Sequence, residues 1–270
     1  MTRRNLLMDE HEDLFEVLAG PGVPPSYDAT FSPLDEMAED EASFVWKGFV
    51  PRGGLTLLEG KDGVGKSSLT LDLAARVSSG SPMPGETEGR EPMHVFLAAF
   101  EDYFDGDNAA GEEVERTVMG RLREAGADLT RVAVLPDVRL PYHVGQLQKT
   151  VRYYGAGLLV LDPLRAALDD PADFTRATRL ARVLERLHHL AGRTNCAVVI
   201  VRHRTRDDRP LGPNVLGQVP RSCLLLEADP DDDVRVLRAI KHSWARRPSP
   251  MRFQIVEGTN GIPKVEWWEH

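Results

Sequence analysis

The sequence of 270 residues carries 42 acidic and 33 basic side chains, and 41% of its residues are hydrophobic. This composition suffices for one large core, and the lack of an apolar run of membrane-spanning length excludes a transmembrane protein. Its two cysteines, Cys196 and Cys223, lie far apart in apolar runs, so the sequence excludes a disulfide framework and predicts a cytoplasmic, reducing location.

The first 44 residues are predicted to form an acidic tail. They hold 11 of the 42 acidic side chains and 2 of the 33 basic ones, which leaves 31 of each sign in residues 45–270. Grouped apolar residues predict one short helix at 9–19, and the proline-containing stretch after it is typical of a linker. The tail is either solvated, or its helix docks on a neighbouring subunit. Because residues 45–270 are formally neutral, net charge neither supports nor excludes DNA binding by this part of the chain.

From residue 45 onward, apolar strands alternate with helices. Strands are predicted at 55–59, 95–99, 132–135, 158–161 and 197–201, and helices at 67–78, 112–125, 144–154 and 173–191. Continuous apolar strands between amphipathic helices indicate a mostly parallel sheet that is covered on both faces. Three further strands, at 223–226, 234–240 and 251–255, follow with turn-like links and predict an antiparallel extension. The predicted fold class is therefore α/β, with three layers, in one domain over residues 45–270.

One segment after the first of these strands matches the pattern G-x-x-x-x-G-K-S. It reads Gly60-Lys61-Asp62-Gly63-Val64-Gly65-Lys66-Ser67, and Ser68 completes the predicted nucleotide site. A strand before it and a helix after it are the context of a phosphate-binding loop, rather than of a chance glycine-rich turn. Lys66 is expected to contact the β- and γ-phosphates of ATP, and the Ser67 hydroxyl to bind Mg²⁺.

Asp162 ends the apolar strand at 158–161 and is a candidate second ligand for the metal. Ligands of open α/β sheets lie beyond the carboxyl ends of the strands, so Asp162 and the glycine-rich loop are expected to converge. The alternative role for Asp162 is to cap a helix that starts at Pro163.

Glu101 follows the strand at 95–99 and is the candidate catalytic base. It is expected at the same edge of the sheet, where a carboxylate can orient and deprotonate the attacking water. Asp102 competes for this role, and the acidic pair could also be ordinary surface. A catalytic base after the strand that follows the glycine-rich loop is typical of RecA-like ATPases. AAA+ and ABC enzymes instead place a glutamate directly after the metal-binding aspartate. In this sequence Pro163, and not a glutamate, follows Asp162.

The strand at 197–201 leads into Arg202-His203-Arg204-Thr205-Arg206. His203 is the candidate sensor of the γ-phosphate, because a polar residue at this edge can report loss of the phosphate to the following loop. Four arginines lie between residues 202 and 209 and could contact nucleic-acid phosphates. A solvated loop is the alternative.

Together these motifs resemble the RepA-like and DnaB-like branch of the RecA superfamily, the hexameric replicative helicase ATPases. The likeness covers nearly all of residues 45–267. Besides the motifs above, the residues that carry it are Gly53-Gly54, the stretch 120–128, Leu161-Asp162-Pro163-Leu164, Pro220-Arg221-Ser222, Lys241 and Val265-Glu266-Trp267. The resemblance implies a RecA-like fold, ATP and Mg²⁺ as ligands, Glu101 as base, Asp162 as the Walker B acid and His203 as sensor.

The resemblance also implies a homo-hexamer that acts on single-stranded DNA, with ATP bound between subunits. By position, Arg221 matches the arginine finger of the neighbouring subunit, and Lys241 matches a second basic residue at that interface. Without the resemblance, both would be ordinary surface cations.

The sequence departs from this family between His203 and Arg221. That stretch is short, and Arg209-Pro-Leu-Gly-Pro-Asn-Val-Leu-Gly217 replaces the usual Gly/Ser-rich pore loop. Arg206 stands where lysine is common, and His242-Ser243 replaces Ser-Asn. The leading hypothesis is a DNA-stimulated ATPase, a hexameric helicase or translocase. The alternatives are a RecA/RadA-like recombination or repair ATPase and a nucleotide-gated interaction switch.

Overall fold

A computed structural model describes residues 43–99, 118–135, 137–205, 207, 209–229 and 232–268 of the chain. Four predictions of the sequence analysis lie outside these residues: the tail helix at 9–19 with its linker, the candidate base Glu101, its competitor Asp102, and Arg206. The described residues belong to one compact unit. The division into a tail and an ATPase domain stays a prediction.

The described part of the chain contains eleven strands. They are β1 (Phe44–Trp46), β2 (Val50–Pro51), β3 (Leu55–Gly60), β4 (Val95–Ala99), β5 (Val132–Val134), β6 (Leu158–Asp162), β7 (Ala197–His203), β8 (Ser222–Ala228), β9 (Val234–His242), β10 (Met251–Glu257) and β11 (Pro263–Trp267). The first two form a small antiparallel ribbon. The other nine form one sheet in the order β11-β10-β9-β8-β3-β7-β6-β4-β5.

The sheet is parallel on one side and antiparallel on the other. Strands β8, β3, β7, β6, β4 and β5 are mutually parallel neighbours, whereas β8 to β11 pair antiparallel in chain order. The predicted fold class is thereby confirmed. The sequence pattern missed that β8, the first C-terminal strand, pairs parallel with β3, and it missed β11 altogether. The pairing of β8 with β3 joins distant segments, which local periodicity does not record, whereas β11 forms a hairpin with the preceding strand β10.

Five α-helices are described. They are α1 (Lys66–Ser79), α2 (Val118–Glu124), α3 (Val144–Tyr154), α4 (Ala177–Thr194) and α5 (Val215–Gln218). The helix predicted at 173–191 starts later, because a 3₁₀ helix at Pro171–Thr175 precedes it, with the Asp170 carboxylate accepting a hydrogen bond from the Ala172 N–H. It ends at Thr194, where Asn195 takes a left-handed conformation.

Two hydrophobic clusters cover the two faces of the sheet. One contains Leu158 and Val160 of β6 with the apolar side of α1, and the other contains Leu159 and Leu161 with α3 and α4. This alternation follows from the two-residue period of a strand, and it explains why β6 is apolar at every position before Asp162. The result is a three-layer domain in which the crossover helices flank the parallel strands.

Both cysteines are buried and free. Burial raises the pKa of Cys196 to about 12 and that of Cys223 to about 11. Within the described residues, no helix has both the length and the apolar character needed to span a membrane.

Candidate functional site

The glycine-rich loop joins the buried strand β3 to the first turn of α1. Gly63 and Gly65 have φ angles of 72° and 101°, which glycine adopts without strain. A β-carbon on Gly60 would lie 2.5 Å from the carbonyl oxygen of Leu226, so this position also excludes a side chain. The backbone path of the loop therefore accounts for the glycines at positions 60, 63 and 65.

The helix that follows the loop begins without a side-chain cap. Its N-cap residue is Gly65, which has no side chain that could accept a hydrogen bond from the first-turn N–H groups. An uncapped N-terminus leaves backbone donors and the positive end of the helix dipole available to an anion. This arrangement fits the phosphates of a nucleotide.

Lys66 lies across the inside of the loop. Its side chain is buried, and its ammonium group donates hydrogen bonds to the carbonyl oxygens of Gly60 (3.1 Å) and Lys61 (2.8 Å). The loop thus holds one positive charge beside the helix N-terminus.

Asp162 lies beside the first turn of α1. The hydroxyl of Thr70 is 3.3 Å from Asp162 Oδ2 and 3.1 Å from the carbonyl oxygen of Ser67. The structure therefore brings Asp162 and the glycine-rich loop together, although 92 residues separate Asp162 from Thr70. The 3₁₀ helix after Asp162 has Pro163 as its N-cap, with no capping side chain.

The described residues contain no group of three or more His, Cys, Asp and Glu that could enclose a metal by themselves. Mg²⁺ at nucleotide sites uses one or two protein ligands and takes the others from phosphates and water. Ser67 and Asp162 fit that limited role.

His203 contacts the glycine-rich loop directly. It pairs with Gly60 in the β3–β7 register, and its Nδ1 is hydrogen-bonded to the carboxylate of Asp62. The next backbone N–H, that of Arg204, donates to the carbonyl oxygen of Gly60 at 3.0 Å. The end of β7 is therefore attached to the loop by both a side chain and the backbone.

Glu59 is a feature of the site that the sequence analysis missed. It is 2% exposed, and its carboxylate accepts hydrogen bonds from Arg202 and, at 2.7 Å, from Arg204. The two arginines flank His203, so one buried anion fixes both neighbours of the candidate sensor. A glutamate near the end of an apolar strand was a usable signal, because a buried carboxylate needs a cationic partner.

The loop after His203 folds back as a short hairpin. The Thr205 N–H donates to the Arg209 carbonyl at 2.8 Å, and Arg204 bridges to Pro210. Helix α5 follows. Thr205, Arg209 and Pro210 of the stretch that departs from the family pattern thus lie close to the end of β7.

Arg221 and Lys241 lie at the opposite edge of the sheet from the glycine-rich loop. The Arg221 N–H donates to Leu55, at the start of β3, while the loop begins at the other end of that strand, about 17 Å away. Lys241 donates to three carbonyl oxygens of residues 217, 218 and 220 at 2.6–3.0 Å. Neither side chain is brought to the loop of its own chain.

The surroundings of Arg221 are aromatic and cationic. Its guanidinium lies 5.5 Å from the ring centroid of Trp244 and 3.4 Å from His188 Nε2. Burial, followed by the charge of Arg221, lowers the pKa of His188.

Glu101 lies two residues beyond β4, outside the described residues. The last residue of β4, Ala99, is aligned with Asp162 in the sheet, so β4 ends at the level of the Asp162 backbone. The role of Glu101 stays a prediction.

Comparison with known proteins gives one family and several curated relatives. The AAA_25 family, described as an AAA domain, matches residues 28–209. The chain is 25% identical over 251 residues to the DNA repair protein RadA of Mycolicibacterium smegmatis, which covers 91% of this chain and 46% of that protein. It is 24% identical to RadA of Brucella abortus (78% of this chain, 41% of that protein) and to RadA of Helicobacter pylori J99 (81% and 44%). The chain therefore spans less than half the length of these relatives.

Proposed function

Because the chain belongs to the AAA_25 family of AAA domains, we propose that it hydrolyses ATP with Mg²⁺ and that single-stranded DNA stimulates this reaction. Family and fold together make it a RecA-like P-loop ATPase. The observation that carries the proposal is the convergence of the uncapped helix N-terminus, Lys66, Asp162 and His203 on one loop.

The phosphates are held by the backbone of residues 60–67 and by Lys66. The first-turn N–H groups of α1 donate to phosphate oxygens, and the helix dipole favours their negative charge. Lys66 exchanges its contacts with the loop carbonyls for contacts with the β- and γ-phosphates. This exchange keeps a buried ammonium group hydrogen-bonded in both states.

Ser67 and Asp162 are the residues that would hold the metal. Thr70 orients Asp162 from the helix side, because its hydroxyl lies within hydrogen-bonding distance of the carboxylate. Mg²⁺, when bound, neutralises charge on the phosphate oxygens. Glu101 orients and deprotonates the attacking water, as a carboxylate beyond β4 can.

His203 reports the state of the nucleotide. Its contact with Asp62 connects β7 to the exposed tip of the glycine-rich loop, called the phosphate loop from here on. A change at the γ-phosphate therefore reaches the hairpin after residue 203. Glu59 keeps the neighbours of His203 in place during this change.

We propose a homo-oligomer, with six subunits as the leading arrangement, in which Arg221 acts on ATP bound to the neighbouring subunit. The positions of Arg221 and the phosphate loop at opposite sheet edges favour action between chains. Lys241, which holds the carbonyl oxygens before Arg221, is proposed to support that interface. A DNA repair ATPase related to RadA is the second candidate, and the curated relatives favour it.

The test is the rate of ATP hydrolysis with and without single-stranded DNA, together with the molar mass from light scattering in the presence of an ATP analogue. DNA stimulation at a mass near six protomers supports the helicase or translocase. DNA-stimulated hydrolysis by filaments of varying mass supports the repair ATPase. DNA-insensitive hydrolysis by a monomer or dimer contradicts both and supports a nucleotide-gated switch.

A further inference from the structure

Helices α3 and α4 carry a charge opposite to that of the chain as a whole. The chain has 42 acidic and 33 basic side chains, whereas these two helices contain six lysines and arginines and a single acidic residue, Glu185. The helices pack against each other and cover the same face of the sheet. Their outward side chains therefore form one basic surface.

On α4 the cationic positions form a stripe along the exposed side. Arginines and one histidine recur at intervals of three and four residues, opposite the buried leucines: Arg179, Arg182, Arg186, His189 and Arg193. Side chains at this spacing line up on one helix face. The stripe extends over about 21 Å at 1.5 Å per residue, a length that corresponds to about six phosphates of a stacked strand.

Three of these cations have no acidic partner in the part of the chain that the structure describes. Arg179 lies 3.2 Å from Asp173, but no carboxylate among the described residues lies within 4.0 Å of Lys149, Arg182 or Arg186. Like charges four residues apart destabilise a helix. Helix stability therefore does not account for the pair Arg182 and Arg186.

Exposed tyrosines border the same surface. Tyr142 precedes α3 and is 72% exposed, while Tyr153 and Tyr154 end α3 at 83% and 50% exposure. The ring of Tyr154 is fixed by edge contacts with Phe96 and with Tyr153, whose own ring projects outward. A supported but exposed aromatic ring offers a stacking partner to an unpaired base.

We infer that the outer face of α3 and α4, called here the α3–α4 face, binds single-stranded nucleic acid. Cations that follow a backbone and aromatic rings that stack on bases are the two components of such sites. The inference rests on the proposed function, which includes a DNA ligand, and it assigns that ligand a surface outside the hairpin after His203. An acidic protein segment would engage the cations but would leave the tyrosines without a role.

The experiment measures binding of fluorescein-labelled oligothymidylate to the full chain, by anisotropy, over a range of salt concentrations with a non-hydrolysable ATP analogue. The double variant Arg182→Ala/Arg186→Ala should reduce the slope of log affinity against log salt by about 1.4, since each phosphate contact on a single strand contributes about 0.7. Tyr153→Ala should weaken binding about fivefold or more without changing that slope.

The matched control is Lys47→Ala/Arg252→Ala, which removes the same charge from two exposed positions outside the α3–α4 face. It should bind DNA with the wild-type salt slope. Binding of a fluorescent ADP analogue should be unchanged in every variant, because none of them touches the phosphate loop.

Three results would overturn the inference. If the Arg182/Arg186 variant behaves like the control while the wild type binds DNA, the α3–α4 face is not the site, and the proposed function stands. If polyglutamate displaces the labelled oligonucleotide as effectively as unlabelled DNA does, and Tyr153→Ala does not weaken DNA binding, the surface recognises an acidic protein instead. If the wild type hydrolyses ATP but binds no DNA, the inference fails together with the DNA part of the proposed function.

Discussion

Replacing Glu59 with glutamine tests whether the end of β7 depends on one buried charge. Glu59 is 2% exposed and Arg202 is 5% exposed, so neither group is solvated by bulk water. Glutamine keeps the size of the side chain but removes the negative charge that Arg202 and Arg204 contact. Removing one partner of a buried ion pair costs about 3 to 5 kcal/mol. For a domain of this size, that loss lowers Tm by about 6 to 20 °C.

Calorimetry on the full chain without nucleotide measures this shift. The control is Glu227→Gln, which breaks the exposed pair between Arg238 and Glu227, 3.2 Å apart and 48% and 40% exposed. An exposed pair contributes less than about 1 kcal/mol, so the control should melt within a few degrees of the wild type. If Glu59→Gln melts at the same temperature as the control variant, the charge of Glu59 does not stabilise the two arginines, and the reasoning about β7 is refuted.

The remaining predictions concern the reaction, the assembly and the thiols. Lys66→Ala should abolish tight nucleotide binding in calorimetry, whereas Glu101→Gln should bind ATP and lose at least about a hundredfold in hydrolysis; normal turnover would exclude Glu101 as the base. Mixing Arg221→Ala with Lys66→Ala subunits should restore part of the ATPase rate if Arg221 acts between chains, and a rate no higher than that of either variant alone would remove that role. Because burial raises the pKa of Cys196 to about 12 and that of Cys223 to about 11, a thiol reagent at mildly alkaline pH should label neither until the protein unfolds; rapid labelling of the native chain would contradict their burial.

The fold class and the position of the phosphate loop were predictable because local rules govern them. An apolar strand, three glycines and an amphipathic helix specify the loop without reference to the rest of the chain. The position of Asp162 near the loop was predictable for a similar reason, since every parallel strand has its last residue at the same edge of the sheet. The contact between Thr70 and Asp162 is the consequence of these two rules.

The ion pairs of Glu59 were not predictable from local patterns. They depend on β3 lying beside β7, which places Glu59 opposite Arg202 across 143 residues of sequence. The hydrophobic period identifies both strands but not their order in the sheet. The charged residue inside an apolar strand was the one available sign that a partner had to exist.

The topology also explains why Arg221 and the phosphate loop cannot meet within one chain. Strand β8 runs parallel to β3, so its first residues lie beside the start of β3, whereas the loop leaves from the end of β3. The separation of about 17 Å along the strand exceeds the reach of an arginine side chain. Contacts with Trp244 and His188 also hold the guanidinium group of Arg221 in place. Any contact of Arg221 with a phosphate at the glycine-rich loop therefore requires a second chain, and ATP hydrolysis that uses this arginine has to depend on assembly.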